Sequence, residues 1–206
     1  EYHESALTET NHGFSYSEPK RWFPEVGKPV IVNAVMRWSD VYNSDGSGGF
    51  VGSSGLYLWN MPADYPNGVF HAPKAFGLDL FSNNMEPEEY RGLGITIADI
   101  PGDTMIYSKT DWQRDNYTKP LDLSNWMLLT MKWSVDSTGV QRIKAWINGD
   151  LVTNRTLAQA LPPLAIELWN DNYMLRSAGP DAFYLDTQPI NVQQSFDISF
   201  INVVKL

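Results

Sequence analysis

The chain of 206 residues has no cysteine, which excludes disulfide frameworks, thiolate zinc sites and cysteine nucleophiles. It is also short of positive charge. Fifteen Lys and Arg stand against 24 Asp and Glu, for a formal net charge of −9, and the only adjacent basic pair is Lys20-Arg21. A surface of that sign repels phosphate backbones and anionic headgroups, so neither nucleic acid nor membrane insertion is expected. No apolar run approaches the ~20 residues that a bilayer-spanning helix needs. Helical periodicity is nearly missing as well. Residues 86–91, with Pro87 near a first turn, and residues 157–161, stopped by Pro162-Pro163, are the two short candidates. There is no Gly-x-Ser-x-Gly elbow and no phosphate loop. The first residue is Glu1 rather than Met, which leads us to expect a cleaved leader or a module of a longer chain with further domains.

What the chain does have is period two. Val30–Trp38 sets Val30, Val32, Ala34, Met36 and Trp38 against Asn33 and Arg37. Residues 55–60, 76–81 and 93–98 repeat the alternation with Leu56/Leu58, Leu78/Leu80 and Leu93/Ile95/Ile97. Met127–Val135 places Met127, Leu129, Met131, Trp133 and Val135 on one side, as a half-buried antiparallel strand does. In residues 141–152, alternating Ile143, Ala145 and Ile147 run into Asn148-Gly149. That pair predicts a two-residue hairpin, because both central residues of a type I′ turn take positive φ. Residues 164–173 and 196–206 add two more strands. Nine or ten strands with no helix to cover a parallel sheet predict two packed antiparallel sheets in a single domain over residues 1–206.

Three passages then carry a family resemblance. Residues 127–152 (MLLTMKWSVDSTGVQRIKAWINGDLV) are similar to the strand, turn and strand ending in Asn-Gly of laminin-G and glucanase domains. Residues 166–172 (IELWNDN) resemble the inward-facing strand before the closing segment, and residues 196–204 (FDISFINVV) resemble the closing strand of family-16 glycoside hydrolases and their non-catalytic relatives. The chain thus resembles the concanavalin A-like lectin/glucanase superfamily. The resemblance implies an all-β fold, a two-sheet antiparallel jelly-roll β-sandwich, a poly- or oligosaccharide partner, and a secreted or cell-surface location. It also has departures. None of the nine glutamates lies in the Glu-x-Asp-x-Glu strand of the hydrolases, and the Asp that can bind structural calcium in those enzymes is replaced by Ser199, although Asp197 is close by. The metal loop of legume lectins is not recognisable either. No cofactor is expected, and a structural calcium has little to hold it.

Within that frame, Glu167, Trp169, Asp171 and Tyr173 share the parity opposite to Ile166 and Leu168. They form a row of acid, aromatic, acid and aromatic. Ring faces stack on pyranose C–H faces and carboxylates accept from paired hydroxyls, so the row suits a sugar. Tyr57, Trp59, Arg37 and Asn33 have the parity to extend the same groove. Were the domain a hydrolase, Glu167 and Asp171 would be its carboxyls. Retention needs about 5–5.5 Å between the two and inversion about 6.5–9.5 Å, whereas residues four apart on a strand lie about 13 Å apart at Cα. With 8 Trp, 10 Tyr and 9 Phe, many aromatics serve as core, Trp38 and Trp133 among them, and a neighbouring loop is expected to cover Trp146. His3, His12 and His71 have no zinc-like spacing, and Asp40, Asn43 and Asp45 lack the closing Glu of a calcium loop. Glu88 and Glu89 read as a solvated turn. Three readings stay open: a non-catalytic carbohydrate-binding domain, which is favoured; a glycoside hydrolase or polysaccharide lyase of the same superfamily; and an adhesive or structural surface sandwich.

Overall fold

The computed structural model describes residues 2–4, 20–38, 52–60, 74–83, 85–100, 106–171, 173–187 and 196–206. At 2–4, 170, 171, 173, 174 and 185–187 the description covers the backbone alone. The strands are β1 (Tyr2–Glu4), β2 (Val30–Trp38), β3 (Ser53–Trp59), β4 (Lys74–Phe81), β5 (Gly92–Asp99), β6 (Ile106–Ser108), β7 (Trp112–Asn116), β8 (Met127–Val135), β9 (Gln141–Ile147), β10 (Asp150–Thr156), β11 (Ala165–Asp171), β12 (Tyr173–Gly179), β13 (Ala182–Thr187) and β14 (Phe196–Lys205). They form a six-stranded sheet in the order β1-β11-β3-β4-β5-β7, a five-stranded sheet in the order β10-β9-β8-β2-β14, and a three-stranded sheet in the order β12-β13-β6. Successive strands change between the two large sheets from β1 to β2, β2 to β3, β7 to β8 and β10 to β11. This is the all-β jelly-roll sandwich of two large antiparallel sheets that the alternation predicts.

The alternation builds the core directly. Val32, Ala34, Met36, Leu129, Met131, Trp133, Ile143 and Ile147 of the five-stranded sheet pack against Leu56, Leu58, Phe76, Leu78, Leu80, Leu93 and Ile95 of the six-stranded one. Each such side chain, fully buried, stabilises the fold by about 1.5–3 kcal/mol. Trp38 reaches across the slab and donates its indole N–H to Ser54 Oγ at 2.5 Å. The Asn148-Gly149 turn takes φ of 51° and 87°, as the hairpin requires. Asn148 Oδ1 also accepts the Leu128 amide at 2.8 Å, which ties the turn to β8.

Residues 86–91 form a single 3-10 turn at Glu88–Tyr90, in keeping with the turn expected for Glu88 and Glu89, where Glu89 meets Lys109 and Glu88 meets Arg91. The structure departs from the sequence expectation in two places. Residues 157–161 form no helix. Their backbone is drawn to Gln141 instead: Leu157 N donates to its carbonyl at 2.9 Å and Leu161 N to its Oε1 at 2.9 Å, while Gln141 Nε2 returns a bond to Leu161 O at 3.1 Å. The strand expected over residues 164–173 ends at Asp171, and Tyr173 opens β12 in the third sheet opposite Thr187. That third sheet has its own apolar cluster of Phe81, Met85, Tyr90, Ile100, Tyr107, Leu175 and Phe183. Phe81 and Trp112 are the points where it packs on the outer face of the six-stranded sheet along its β4–β7 side.

At one edge the two large sheets are clamped together. Asp115 on β7 takes a two-pronged contact from Arg155 on β10, at 2.6 and 2.7 Å, and a hydrogen bond from Thr153 Oγ1. Burial pushes the Asp115 carboxyl up, but the bonds from Arg155 and Thr153 more than offset this and hold it below its ordinary 3.8. A depressed folded-state value stabilises the fold above the unfolded value and loses that contribution as pH falls through the folded one. Arg155→Met should therefore cost about 1 kcal/mol at neutral pH by urea unfolding, and the difference from wild type should shrink below about pH 4. A difference that stays constant into strong acid would refute the clamp.

Candidate functional site

The outer face of the six-stranded sheet is assembled by register. Glu167 on β11 pairs with Tyr57 on β3, Tyr57 with Gly77 on β4, Gly77 with Thr96 on β5, and Thr96 with Arg114 on β7. One step along, the row reads Trp169, Gly55, Asp79, Gly94 and Asn116. A step the other way gives Ala165, Trp59, Ala75, Ala98 and Trp112. Of the expected residues, then, Glu167, Trp169, Tyr57 and Trp59 come together on one face.

The small residues of these rows explain how the large ones lie. A Cβ at Gly77 would strike the Tyr57 ring, one at Gly55 would lie 2.6 Å from the Trp169 ring, and one at Gly94 would lie 2.7 Å from the Arg114 guanidinium. Each long side chain therefore occupies the space over a glycine of the neighbouring strand. The Tyr57 and Trp169 rings meet with centroids 4.1 Å apart, and Trp169 donates its indole N–H to Ser53 Oγ at 3.0 Å.

Charge is concentrated at the centre. Arg114 forms an ion pair with Asp79, and the Tyr57 hydroxyl donates to the same carboxylate. The guanidinium also donates to Gly92 O at 2.5 Å and to Asn116 Oδ1 at 2.7 Å, and its carbon lies 4.6 Å from the centre of the Phe81 ring. Burial pulls the Arg114 guanidinium down to about 9, with the Tyr57 oxygen opposing, so it remains a cation at neutral pH. Thr96, fully buried between Gly77 and Arg114, has no hydrogen-bond partner for its hydroxyl among the described residues.

The face is closed rather than open. Glu167 is 1% exposed, Asp79 0%, and Tyr57 and Trp169 8% each. The expected open trough is corrected in this respect. Over the β7 side the cover is the three-stranded sheet, whose Tyr107 and Phe183 rings lie 5.6 and 5.5 Å from Trp112.

The remaining expected residues do not join the row. Asp171 continues β11 in register with Ser53, with its side chain outside the description, and Tyr173 has left for the third sheet. Arg37 and Asn33 lie on the outer face of the five-stranded sheet, on the far side of the sandwich. Their parity was right, but β2 belongs to the other sheet. There Arg37 bonds Asp197 at 2.9 Å and stacks 4.7 Å over Trp126, while Asn33 accepts from Thr130 at 2.9 Å. The Asp197 carboxylate, the nearest calcium candidate, is thus engaged by a cation. Trp146 lies on that same outer face, half-buried, opposite Leu151 and Thr130. His12, His71, Asp40, Asn43 and Asp45 fall outside the described residues, as does the side chain of His3. Sequence reasoning missed Asp79, Thr96 and Arg114. Asp79 was legible from its parity against Leu78 and Leu80, whereas Arg114 belongs to a five-residue strand, WQRDN, with no apolar alternation to mark it.

No protein-family model and no curated protein matches the chain. Among solved structures, it is similar to the kappa-carrageenase from Pseudoalteromonas carrageenovora in complex with an oligotetrasaccharide of kappa-carrageenan, at 12% identity over 87% of this chain and 65% of that one, with a TM-score of 0.48. For the marine PL7 alginate lyase AlyA1 from Zobellia galactanivorans the values are 10%, 88%, 63% and 0.43. For the endo-beta-1,4-glucuronan lyase from the fungus Trichoderma reesei they are 12%, 93%, 75% and 0.39. The chain spans less than two thirds of the first two proteins. These are similarities of chain path, and they assign no residue and no activity here.

Two experiments test the construction of this face. Asp79→Asn or Arg114→Met alone should cost about 3–5 kcal/mol, since each strands a buried partner, while the double variant Asp79→Leu/Arg114→Met should cost far less. Additive costs in chemical denaturation would mean that the pair is not coupled. Gly77→Ala should displace the Tyr57 ring and alter the near-ultraviolet dichroism, and an unchanged spectrum would count against the glycine seat.

Proposed function

We propose that this is a secreted or surface-displayed carbohydrate-binding domain that holds a saccharide, without cleaving it, on the outer face of its six-stranded sheet. The observation that carries the reading is a set of ionisable groups on the side of the sheet turned away from the core. Glu167, Asp79 and Arg114 are buried there among Tyr57, Trp59 and Trp169. Buried ion pairs contribute little to folding compared with apolar residues of the same volume, so their retention here favours a role in recognition. Rings seated over glycines offer stacking surfaces, and the Thr96 hydroxyl, which has no partner among the described residues, offers a donor and an acceptor for a sugar hydroxyl. Because the row is closed, a ligand reaches it only when the cover shifts, and this coupling is part of the proposal.

Binding is favoured over catalysis by how the charges are used. A hydrolase needs two carboxyls with separate tasks, and a lyase needs a free cation to neutralise a uronate and a base to take its proton. Here Asp79 is taken by Arg114 and by the Tyr57 hydroxyl, so neither carboxylate nor guanidinium is spare, and the phenol is held as a donor. A row whose ion pair is already satisfied within the protein suits a neutral, hydroxyl-rich sugar better than a charged one.

Affinity electrophoresis in gels containing neutral polysaccharides is the direct measurement. Wild type should be retarded in at least one gel. Glu167→Gln and Trp169→Ala should lose about tenfold or more in affinity while unfolding cooperatively as wild type does. No retardation in any gel would sink the proposal. Release of new reducing ends or of unsaturated, ultraviolet-absorbing products by the wild type would replace it with the hydrolase or lyase reading.

A further inference from the structure

The geometry points to a second, separate binding surface on the outer face of the five-stranded sheet, one that takes an acidic polysaccharide. It begins with a pairing that folding alone disfavours. Lys132 on β8 and Lys144 on β9 are direct cross-strand partners, and like charges in that position destabilise a sheet. Among the described residues neither lysine has an acidic partner. Arg142, one step along β9 on the same face, adds a third cation, which hydrogen-bonds Asn154 Oδ1 at 3.2 Å and has Asp136 as its acidic neighbour. On a chain of net charge −9, this face is a local reversal of sign.

Beside the cations runs an exposed apolar and aromatic band. Trp126 is 46% exposed, Leu128 43%, Phe200 47% and Leu151 54%. Phe200 is there because of a β-bulge. Phe196 and Ile198 point inward beside Trp38 and Met36, and the register shift between Ile198 and Phe200 pairs Phe200 with Val35 on the outer side, where a regular strand would have put Ser199. Bulges are a means of re-aiming a side chain, and this one exchanges a serine for a phenylalanine on the surface. Arg37, stacked on Trp126 and neutralised by Asp197, continues the aromatic band to the end of the face without adding a free cation.

A polymer that is both flat-faced and anionic matches this surface, because sugar rings can lie on the band while carboxylates or sulfates meet the lysines. A symmetric contact between two copies of the chain is disfavoured, since it would set Lys132 and Lys144 against their own equivalents, and lysine is depleted in protein interfaces. An anionic membrane is disfavoured because the band lies in the plane of a flat sheet rather than on protruding tips.

The test uses the intact chain with polygalacturonate as the acidic probe, dextran as the neutral one, and vesicles of phosphatidylglycerol and phosphatidylcholine. Polygalacturonate should retard the wild type at low salt and progressively less as salt rises. The double variant Lys132→Gln/Lys144→Gln should lose about tenfold in affinity, with Trp126→Ala weakening binding further. Relief of the like-charge pair should leave the double variant's Tm at or above that of wild type, so that lost binding is not lost folding. Glu167→Gln, on the opposite face, should bind polygalacturonate as wild type does, which separates this surface from the site proposed above. Equal binding by the double variant would overturn the inference. So would vesicle binding without polymer binding, or concentration-dependent association in light scattering that the lysine variants abolish.

Discussion

One apolar slab between two sheets governs where every other side chain can go. Along each strand only alternate residues fit inside it, and the inner set is so uniformly Leu, Ile, Val, Met and Trp that the register has no freedom. A slip of one residue in β4 would carry Asp79 into the slab in place of Leu78 or Leu80, and the same slip in β11 would carry Glu167 in for Ile166. Burying those carboxylates in hydrocarbon costs several kcal/mol each. The charged rows are therefore held in place by the packing on the reverse of the same strands.

The two outer faces created by this constraint have opposite character. On the six-stranded sheet, charge is buried and neutralised within the protein, with Asp79, Arg114 and Tyr57 satisfying one another. On the five-stranded sheet, cations and rings meet solvent and have few internal partners. The range of electrostatic forces makes the second arrangement workable on an acidic chain. At physiological salt the field decays over about 8 Å, so the net charge of −9 governs distant encounters, while Lys132, Lys144 and Arg142 govern contact. An anionic polymer would be repelled weakly from afar and held firmly once seated.

How much of this was legible before the structure depended on whether the signal was local. The Asn148-Gly149 hairpin and the long alternations of β2 and β8 were legible because turn chemistry and period two act within a few residues. The absence of a helix at residues 157–161 was not, because Gln141, 20 residues away from Leu161, supplies the competing hydrogen bonds. The same limit applies to the site. Parity placed Glu167, Trp169, Tyr57 and Trp59 on outward faces, and also Arg37 and Asn33, but parity does not say which sheet a strand joins. That is decided by long-range pairing such as β2 with β14 and β11 with β3. Arg114 was invisible because its five-residue strand earns its place through partners on β5.

The glycines of the six-stranded face bind the fold and the proposed function together. Glycine within a strand costs about 0.5–1 kcal/mol relative to alanine, and Gly55, Gly77 and Gly94 occupy three adjacent strands of one sheet. That cost is not offset by core packing, because the Cβ each would carry points away from the slab. What a Cβ would meet there explains the glycines: the Leu78 carbonyl oxygen at Gly55 and the Leu56 carbonyl oxygen at Gly77, each too close to admit it, together with the Trp169 ring, the Tyr57 ring and, at Gly94, the Arg114 guanidinium. A sheet selected for stability alone would fill those positions with β-branched residues and dispense with the buried ion pair. Keeping both the glycines and the charges exchanges stability for a flat, preorganised polar surface, as stability–function trade-offs at binding sites predict.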